Sequence, residues 1–289
     1  QGIGSYAISM AGSNEQKEKW LPTVSKSETL AALALTEPVA GSDLKGINTT
    51  VEKKGSELIL NGAKSFISNA GVAAFYTTLA KENDGYSLFL VPADSEGLVT
   101  MPSPEIIAPH VLGELEFNDV VLNESSRLGE PGAAFRHVLA TLSVFRISVA
   151  GAALGVMEGA LREAVKHCSN REQFGRPLAK HGPVATLLAD SWADLESSRY
   201  LTYQTASLAS VDPGKNLDRS SLAKLAATEA ATRVVDRCVQ TMGRWGLIRG
   251  SKIEKFYRQA RPMRVYEGAS EVLRLGITAR LMSEYNDES

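Results

Sequence analysis

From about Gly132 onward the sequence stops alternating and reads as helix after helix. Apolar residues recur at helical spacing over Ala134–Cys168, Leu178–Ala209, Leu217–Met242 and Ser270–Tyr285, four runs far longer than strands use. The breakers fall between them: Gly175-Arg176-Pro177, Asp212-Pro213-Gly214, and Gly243 through Gly250. Four long helices with short connections bury their apolar stripes most simply as a bundle.

The chain ahead of this run has the opposite character. Leu58-Ile59-Leu60 runs into Asn61-Gly62, a pair that predicts a hairpin turn, and strand-like Ser65-Phe66-Ile67-Ser68 follows. Phe75–Leu79, Tyr86–Val91 and Leu115–Phe117 read as further strands. Before them, residues 1–27 read as the end of one helix and a short second one. Ser13-Asn14-Glu15-Gln16 offers caps to the second helix and Pro22 a stop. The expected fold is therefore α+β. It comprises a helical remnant over 1–27, an antiparallel β domain over 28–125 and a C-terminal four-helix bundle over 126–289.

Charge and composition narrow the partners. A formal net charge of -2 gives no electrostatic reason for nucleic acid or an anionic membrane to bind. No apolar run reads as long enough to span a bilayer. The start lacks an initiator Met and a signal-peptide pattern, so an N-terminal piece is expected to be missing. Cys168 and Cys238 lie in helix-like stretches without metal-ligand spacing, which points to a reduced intracellular setting. His110, His137, His167 and His181 are scattered, and no metal site is expected.

Five segments carry residue types suited to chemistry, each with a plainer reading beside it. In Met263–Arg274 a carboxylate, Glu267, sits between Tyr266 and a glycine just before a helix that Ser270 is placed to cap. Such a connector holds a general base with few degrees of freedom, or simply favours the helix start electrostatically. In Leu35-Thr36-Glu37-Pro38-Val39-Ala40-Gly41-Ser42-Asp43, a hydroxyl, a stiffening proline and exposed backbone N–H groups suit a polar cofactor edge or a phosphate, or make a surface turn. Alternation puts Phe66 and Ser68 on one strand face, suiting a planar cofactor or a core Phe with a satisfied Ser. In Arg171–Leu178, Arg171 is a candidate phosphate partner and Phe174 a stacking residue, or the stretch is a solvated helix–helix loop. Gln240–Leu247 offers an amide and close backbone approach, or a helix C-terminal stop at Gly243.

Taken together and in this order, the five segments resemble the acyl-CoA dehydrogenase family of flavoproteins. The Thr36-Glu37-Pro38…Ala40-Gly41-Ser42-Asp43 string and Asn61-Gly62…Lys64 with Phe66-Ile67-Ser68-Asn69 resemble its two flavin-binding signatures. Arg171…Gln173-Phe174-Gly175 and Gln240…Gly243 are similar to segments by which a neighbouring subunit grips the cofactor. Tyr266-Glu267-Gly268…Ser270-Glu271 resembles the segment of the catalytic base.

The resemblance implies FAD as cofactor and α,β-desaturation of an acyl-CoA thioester. Glu267 would take the α proton while the β hydrogen leaves as hydride to flavin N5. The thioester carbonyl would be polarised by the Glu267 backbone N–H and a flavin ribityl hydroxyl. It further implies that Thr36 and Ser68 hydrogen-bond the flavin ring, with Leu35 and Phe66 beside it and Gly41 and Ser42 near the pyrophosphate and CoA. Ala269 and Glu271 fall on the cofactor side. Tyr266, Gly268, Ser42 and Arg146 fall on the substrate side. Arg171, Gln173, Phe174, Gln240 and Gly243 would reach FAD in a partner subunit, so a homodimer or homotetramer is expected, with an electron-transfer flavoprotein as electron acceptor. The setting would be bacterial cytoplasm or, in a eukaryote, the mitochondrial matrix.

Three departures stand out. Most of the family's N-terminal helical domain is expected to be missing, Phe66 replaces a frequent Trp, and Arg244 stands where a second glycine is usual. The missing segment and Arg244 keep open a non-catalytic subunit that completes a partner's site, and an oxygen-using acyl-CoA oxidase of the same fold is a further alternative because oxygen reactivity is not legible in sequence. Acyl chain length is not legible in the sequence.

Overall fold

Ser13 sets the first helix pair. In the computed structural model, which describes residues 2–83, 85–212 and 216–287, α1 (Gly2–Ala11) and α2 (Asn14–Ser25) meet at a reciprocal capping box. The Gln16 N–H donates to Ser13 Oγ at 3.1 Å and the Ser13 N–H to Gln16 Oε1 at 2.9 Å. Pro22 does not stop α2 but lies inside it. One missing N–H near the last turn is a small loss there, and the Lys26 N–H closes the end onto the Pro22 carbonyl at 3.2 Å. Gln16 also donates to the carbonyls of Ser125 and Arg127, at 2.7 and 2.8 Å, anchoring α2 on the chain that follows the sheet.

The strands are β1 (Ala31–Ala34), β2 (Thr50–Lys54), β3 (Glu57–Ser68), β4 (Phe75–Glu82), β5 (Gly85–Pro92), β6 (Leu98–Pro102), β7 (Leu112–Leu122) and β8 (Arg127–Leu128). They form one sheet in the order β6-β7-β3-β2-β4-β5-β8, with β1 beside β4. Pairings are antiparallel except those of β1 and β2 with β4, which are parallel. Leu58, Leu60, Tyr76, Phe89, Leu115 and Phe117 build its core.

The hairpin expected at Asn61-Gly62 is not there. Both residues lie in the middle of β3, and the chain turns instead at Gly55, before that strand begins. Gly62 serves a bulge against β7 with φ +143°, where a Cβ would fall 2.5 Å from Thr49 Oγ1. Asn61 pairs across the sheet with Asp119 rather than capping a turn, its Nδ2 donating at 2.9 Å.

The chain divides into two compact units, Gln1–Thr141 and Leu142–Ser289. The helical part comprises α3 (Ala134–Asn170), the small hairpin β9 (Glu172–Gln173) and β10 (Arg176–Pro177), α4 (Gly182–Val211), α5 (Leu217–Met242), α6 (Lys252–Ala260) and α7 (Ser270–Asp287). Pro213 and Gly214 of the second expected breaker lie outside the described residues. α6 is an addition to the four helices read from sequence. Ser251 caps it, accepting from the Glu254 N–H at 3.3 Å, so its Ser-x-x-Glu start signal is present in the chain. The core is alanine-rich: Ala153, Met157, Ala160 and Ala164 of α3 belong to one buried cluster with Ala227, Ala231, Val234 and Val235 of α5. Contrary to the sequence reading, α3 is long and apolar enough to cross a bilayer by length and composition alone. Its buried alanines and Met157 instead face this core.

Candidate active site

A buried polar cluster of the second unit surrounds Glu267. This residue takes φ +53° and Gly268 takes φ +99°, so two successive residues bend the connector into α7 through the left-handed region. Glycine is required at 268, where a Cβ would lie 2.9 Å from Leu273 Cδ2 and 3.1 Å from Arg146 Nη2. A glutamate at positive φ is uncommon and needs support from its surroundings. Two buried cations supply it. Arg146 on α3 donates from Nε to the Glu267 carbonyl at 3.0 Å and from Nη1 to Ser221 Oγ at 2.9 Å. Lys224 on α5, fully buried, donates from Nζ to the Gly268 carbonyl at 2.7 Å.

One oxygen of the carboxylate is unengaged: Oε2 is buried and, among the described residues, has no hydrogen-bond partner. Burial pushes the Glu267 carboxyl up to about 7, against the opposing pull of Arg146 and Lys224. Burial likewise brings the Lys224 ammonium down to about 8, reinforced by the Arg146 charge and opposed by Glu267, Glu229 and Glu271. Tyr266 and Glu271 are exposed beside this cluster, while Gly268 and Ala269 are half-buried. Ser270 does not cap α7 as expected. It is the first helical residue and buried, and the Ala269 carbonyl accepts the first helix bond, from the Leu273 N–H at 3.0 Å.

Lys224 and Ser221 lie outside the residues expected from sequence. Their signal is a lysine on the buried stripe of α5, three, four and seven residues before buried Ala227, Thr228 and Ala231. A charge at such a position needs a partner, and the chain alone does not say which one.

In the first unit, one buried ion pair ties two of the candidate segments together. Glu37 accepts from the N–H groups of Asn48 and Thr49 at 2.5 and 3.0 Å and from Lys64 Nζ at 2.8 Å. Lys64 also donates to the Leu35 carbonyl at 3.0 Å, and the Ser65 N–H to the Thr36 carbonyl at 2.9 Å. The 35–43 loop is thereby laced to β3. Leu35 is buried and Thr36 half-buried, while Gly41 and Ser42 are exposed at the outer end. Simple strand alternation fails at Lys64–Ile67, where β3 bulges against β7 and Phe66 takes φ +55°. The bulge buries Lys64 and Ser65 in succession and turns Phe66 outward, 53% exposed. Ser68 follows on the less buried side, its Oγ 2.8 Å from His110 Nε2.

Arg171, Gln173 and Phe174 occupy the exposed β9–β10 hairpin. Phe174 (φ +51°) and Gly175 (φ +73°) form its two-residue tip, and the phenyl ring is 96% exposed. Such a ring gains nothing from burial within its own chain. Gln240 and Gly243 are exposed at the end of α5. The Cys168 Sγ lies 3.6 Å from the Thr241 carbonyl, so the hairpin after α3 and the end of α5 share one end of the bundle. Arg146 and Ser221 meet further back along the same two helices. About 20 helical residues, roughly 30 Å at 1.5 Å per residue, separate the two clusters. The candidate residues of this unit thus fall into two groups, the base cluster and the hairpin cluster. Arg244, exposed beside Gly243, lies 5.3 Å over the Trp245 ring.

Comparison with known proteins adds to this geometry. The family description "Acyl-CoA dehydrogenase, middle domain" matches residues 32–120 and "Acyl-CoA dehydrogenase, C-terminal domain" matches residues 133–282. The mitochondrial short-chain specific acyl-CoA dehydrogenase of Rattus norvegicus is 36% identical over 282 residues, covering 95% of this chain and 68% of that protein. The CarC subunit of the caffeyl-CoA reductase-Etf complex of Acetobacterium woodii is 36% identical over 288 residues, covering 95% of this chain and 74% of that one. Among solved structures, a glutaryl-CoA dehydrogenase from Mycobacterium smegmatis in complex with FADH2 superposes with a TM-score of 0.91 at 27% identity, over 96% of this chain and 72% of that one.

Proposed function

The chain belongs to the acyl-CoA dehydrogenase family, and from that premise we propose that it desaturates an acyl-CoA thioester between its α and β carbons, with FAD as cofactor and Glu267 as the base. The observation that carries this reading is the buried Glu267 Oε2, without a hydrogen-bond partner among the described residues, on a connector held from both sides. Its lone pairs are free to accept the α proton, and its acidity lies near neutrality, where a general base works best. The Glu267 backbone N–H is assigned to the thioester carbonyl, where negative charge develops as the proton leaves.

The residues present fit the cofactor. Phe66 and Phe174 are aromatic rings turned outward on left-handed backbone, places where a planar partner would cover exposed apolar surface. Gly41 and Gly243 are open, with nothing within 4 Å of an added Cβ, and leave room for close approach. Thr36 and Ser68 would hold the ring edge, Gly41 and Ser42 the pyrophosphate, and Arg171 a phosphate of a neighbouring chain's cofactor. Ala269 and Glu271 remain assigned to the cofactor side, and Tyr266, Gly268 and Arg146 to the substrate side. When bound, FAD supplies the two-electron acceptor for the hydride that leaves the β carbon.

The separation of the base cluster from the hairpin cluster supports sites shared between chains. A ring beside Glu267 is out of reach of Phe174 and Gln240 of the same chain, so each hairpin serves a second copy, giving a homodimer or homotetramer. The exposed Trp192, Tyr200 and Tyr203 of α4 and Leu275, Met282 and Tyr285 of α7 fit such burial between copies. The Etf-complex relative supports an electron-transfer flavoprotein as redox partner, and the rat relative's name is consistent with a mitochondrial setting if the source is eukaryotic. The direct test is Glu267→Gln. It is expected to retain FAD while anaerobic flavin reduction by acyl-CoA falls by several orders of magnitude. Ordinary reduction in that variant would exclude Glu267 as base.

A further inference from the structure

Resting on the reading of Glu267 as base, we propose that Lys224 is a positioning residue for it: its ammonium fixes the carbonyl that follows Glu267 and supplies positive charge that favours the ionised carboxylate. The ammonium has three donors, and among the described residues the Gly268 carbonyl is its one hydrogen-bonded acceptor, at 2.7 Å. A fully buried lysine that served packing alone would be replaced at lower cost by an apolar side chain of similar length. Arg146 makes the matching bond to the preceding carbonyl, at 3.0 Å. The two bonds grip consecutive peptide units across the residue pair at φ +53° and +99°, so neither carbonyl can swing without losing a charge-assisted bond.

The charged surroundings give Lys224 a second effect. Arg146 from α3 and Lys224 from α5 face Glu267, with Tyr266 adjacent on its own connector. Glu229 and Glu271 act on Lys224 from α5 and α7. Glu229 is itself engaged by Arg264 at 2.9 Å and Arg274 at 3.5 Å, which leaves Lys224 available to the base. Removing the Lys224 charge leaves burial opposed by Arg146 alone.

The test compares Lys224→Met, Lys224→Arg and Glu267→Gln with the native, FAD-loaded protein. Two readouts are taken: the acid limb of kcat/KM for anaerobic flavin reduction, and an infrared titration of the Glu267 carboxyl band assigned against Glu267→Gln. In Lys224→Met both midpoints are expected to rise by about one pH unit or more. kcat at pH 7 should fall about fivefold and recover as pH rises, while KM stays within about twofold. Lys224→Arg, which keeps the charge, should return both midpoints to within about half a unit of native. If Lys224→Met does not fold, Lys224→Gln removes the charge, keeps a donor and gives the same midpoint test.

Unmoved midpoints in the charge-removing variant, whatever its thermal stability, would overturn the proposal. So would an equal rise in Lys224→Arg. An inactive Glu267→Gln beside an unmoved Lys224→Met removes the Lys224 role alone. An active Glu267→Gln removes the base reading and the Lys224 role with it.

Discussion

At residue 267 function and stability pull in opposite directions. A carboxyl raised to about 7 by burial is protonated in the folded chain over a range where the unfolded chain has already ionised. Its contribution to stability is therefore fully present below the unfolded value near 4.5 and is lost as pH rises through about 7. Glu267→Gln lacks this titration. It should be more stable than native at pH 8, by on the order of 3 kcal/mol at most, and about equal to native at pH 4.5. Thermal melts at the two pH values check this, and an equal difference at both would show that burial is not what raises the carboxyl. The neighbouring glycine is under a different constraint. Gly268→Ala must place a methyl group against Leu273 and Arg146 at φ +99°, and should lose roughly 2 kcal/mol or more together with most of the activity. Denaturant unfolding beside flavin-reduction rates would show whether both fall.

Among the elements, the 35–43 loop and β3 act as one piece because Glu37 and Lys64 meet in the interior. Breaking a buried pair from one side leaves an uncompensated charge, so Lys64→Met should cost about 3–5 kcal/mol and loosen FAD retention. Native FAD affinity at reduced stability would mean that the loop holds its shape without the pair. Arg171→Ala, on the exposed hairpin, should instead weaken FAD retention with little change in folding stability, which a flavin-release titration reads. What the sequence reveals at this scale follows from physical range. The long helical periods and the strands at Phe75–Leu79 and Tyr86–Val91 are local patterns, and they match the structure. Asn61-Gly62 carries a local turn signal, but the cross-strand Asn61–Asp119 pair and the close Thr49 approach override it. β1 is hidden because Ala31-Ala32-Leu33-Ala34 has a helix-forming composition, and pairing with β4 decides its state. Glu267 was visible as a carboxylate beside a glycine, whereas Lys224 was not, since its partner is a backbone carbonyl more than 40 residues away.

At the scale of the whole molecule, the distance between the base cluster and the hairpin makes a statement about assembly. If Arg171 of one chain serves the cofactor beside Glu267 of another, two defective chains can repair each other. Mixed dimers of Arg171→Ala with Glu267→Gln should contain one intact site, and at limiting FAD should regain about half the native activity per dimer. Failure of the mixture to exceed its parents would place both residues in one chain's site. The proposal of an acyl-CoA desaturating enzyme is tested most directly by anaerobic titration of the FAD-loaded protein with a panel of acyl-CoAs. Flavin absorbance is followed at pH 6 and pH 8. The expected result is bleaching by at least one of them, faster at pH 8, where Glu267 is ionised. Retained FAD that no acyl-CoA bleaches at either pH would contradict it.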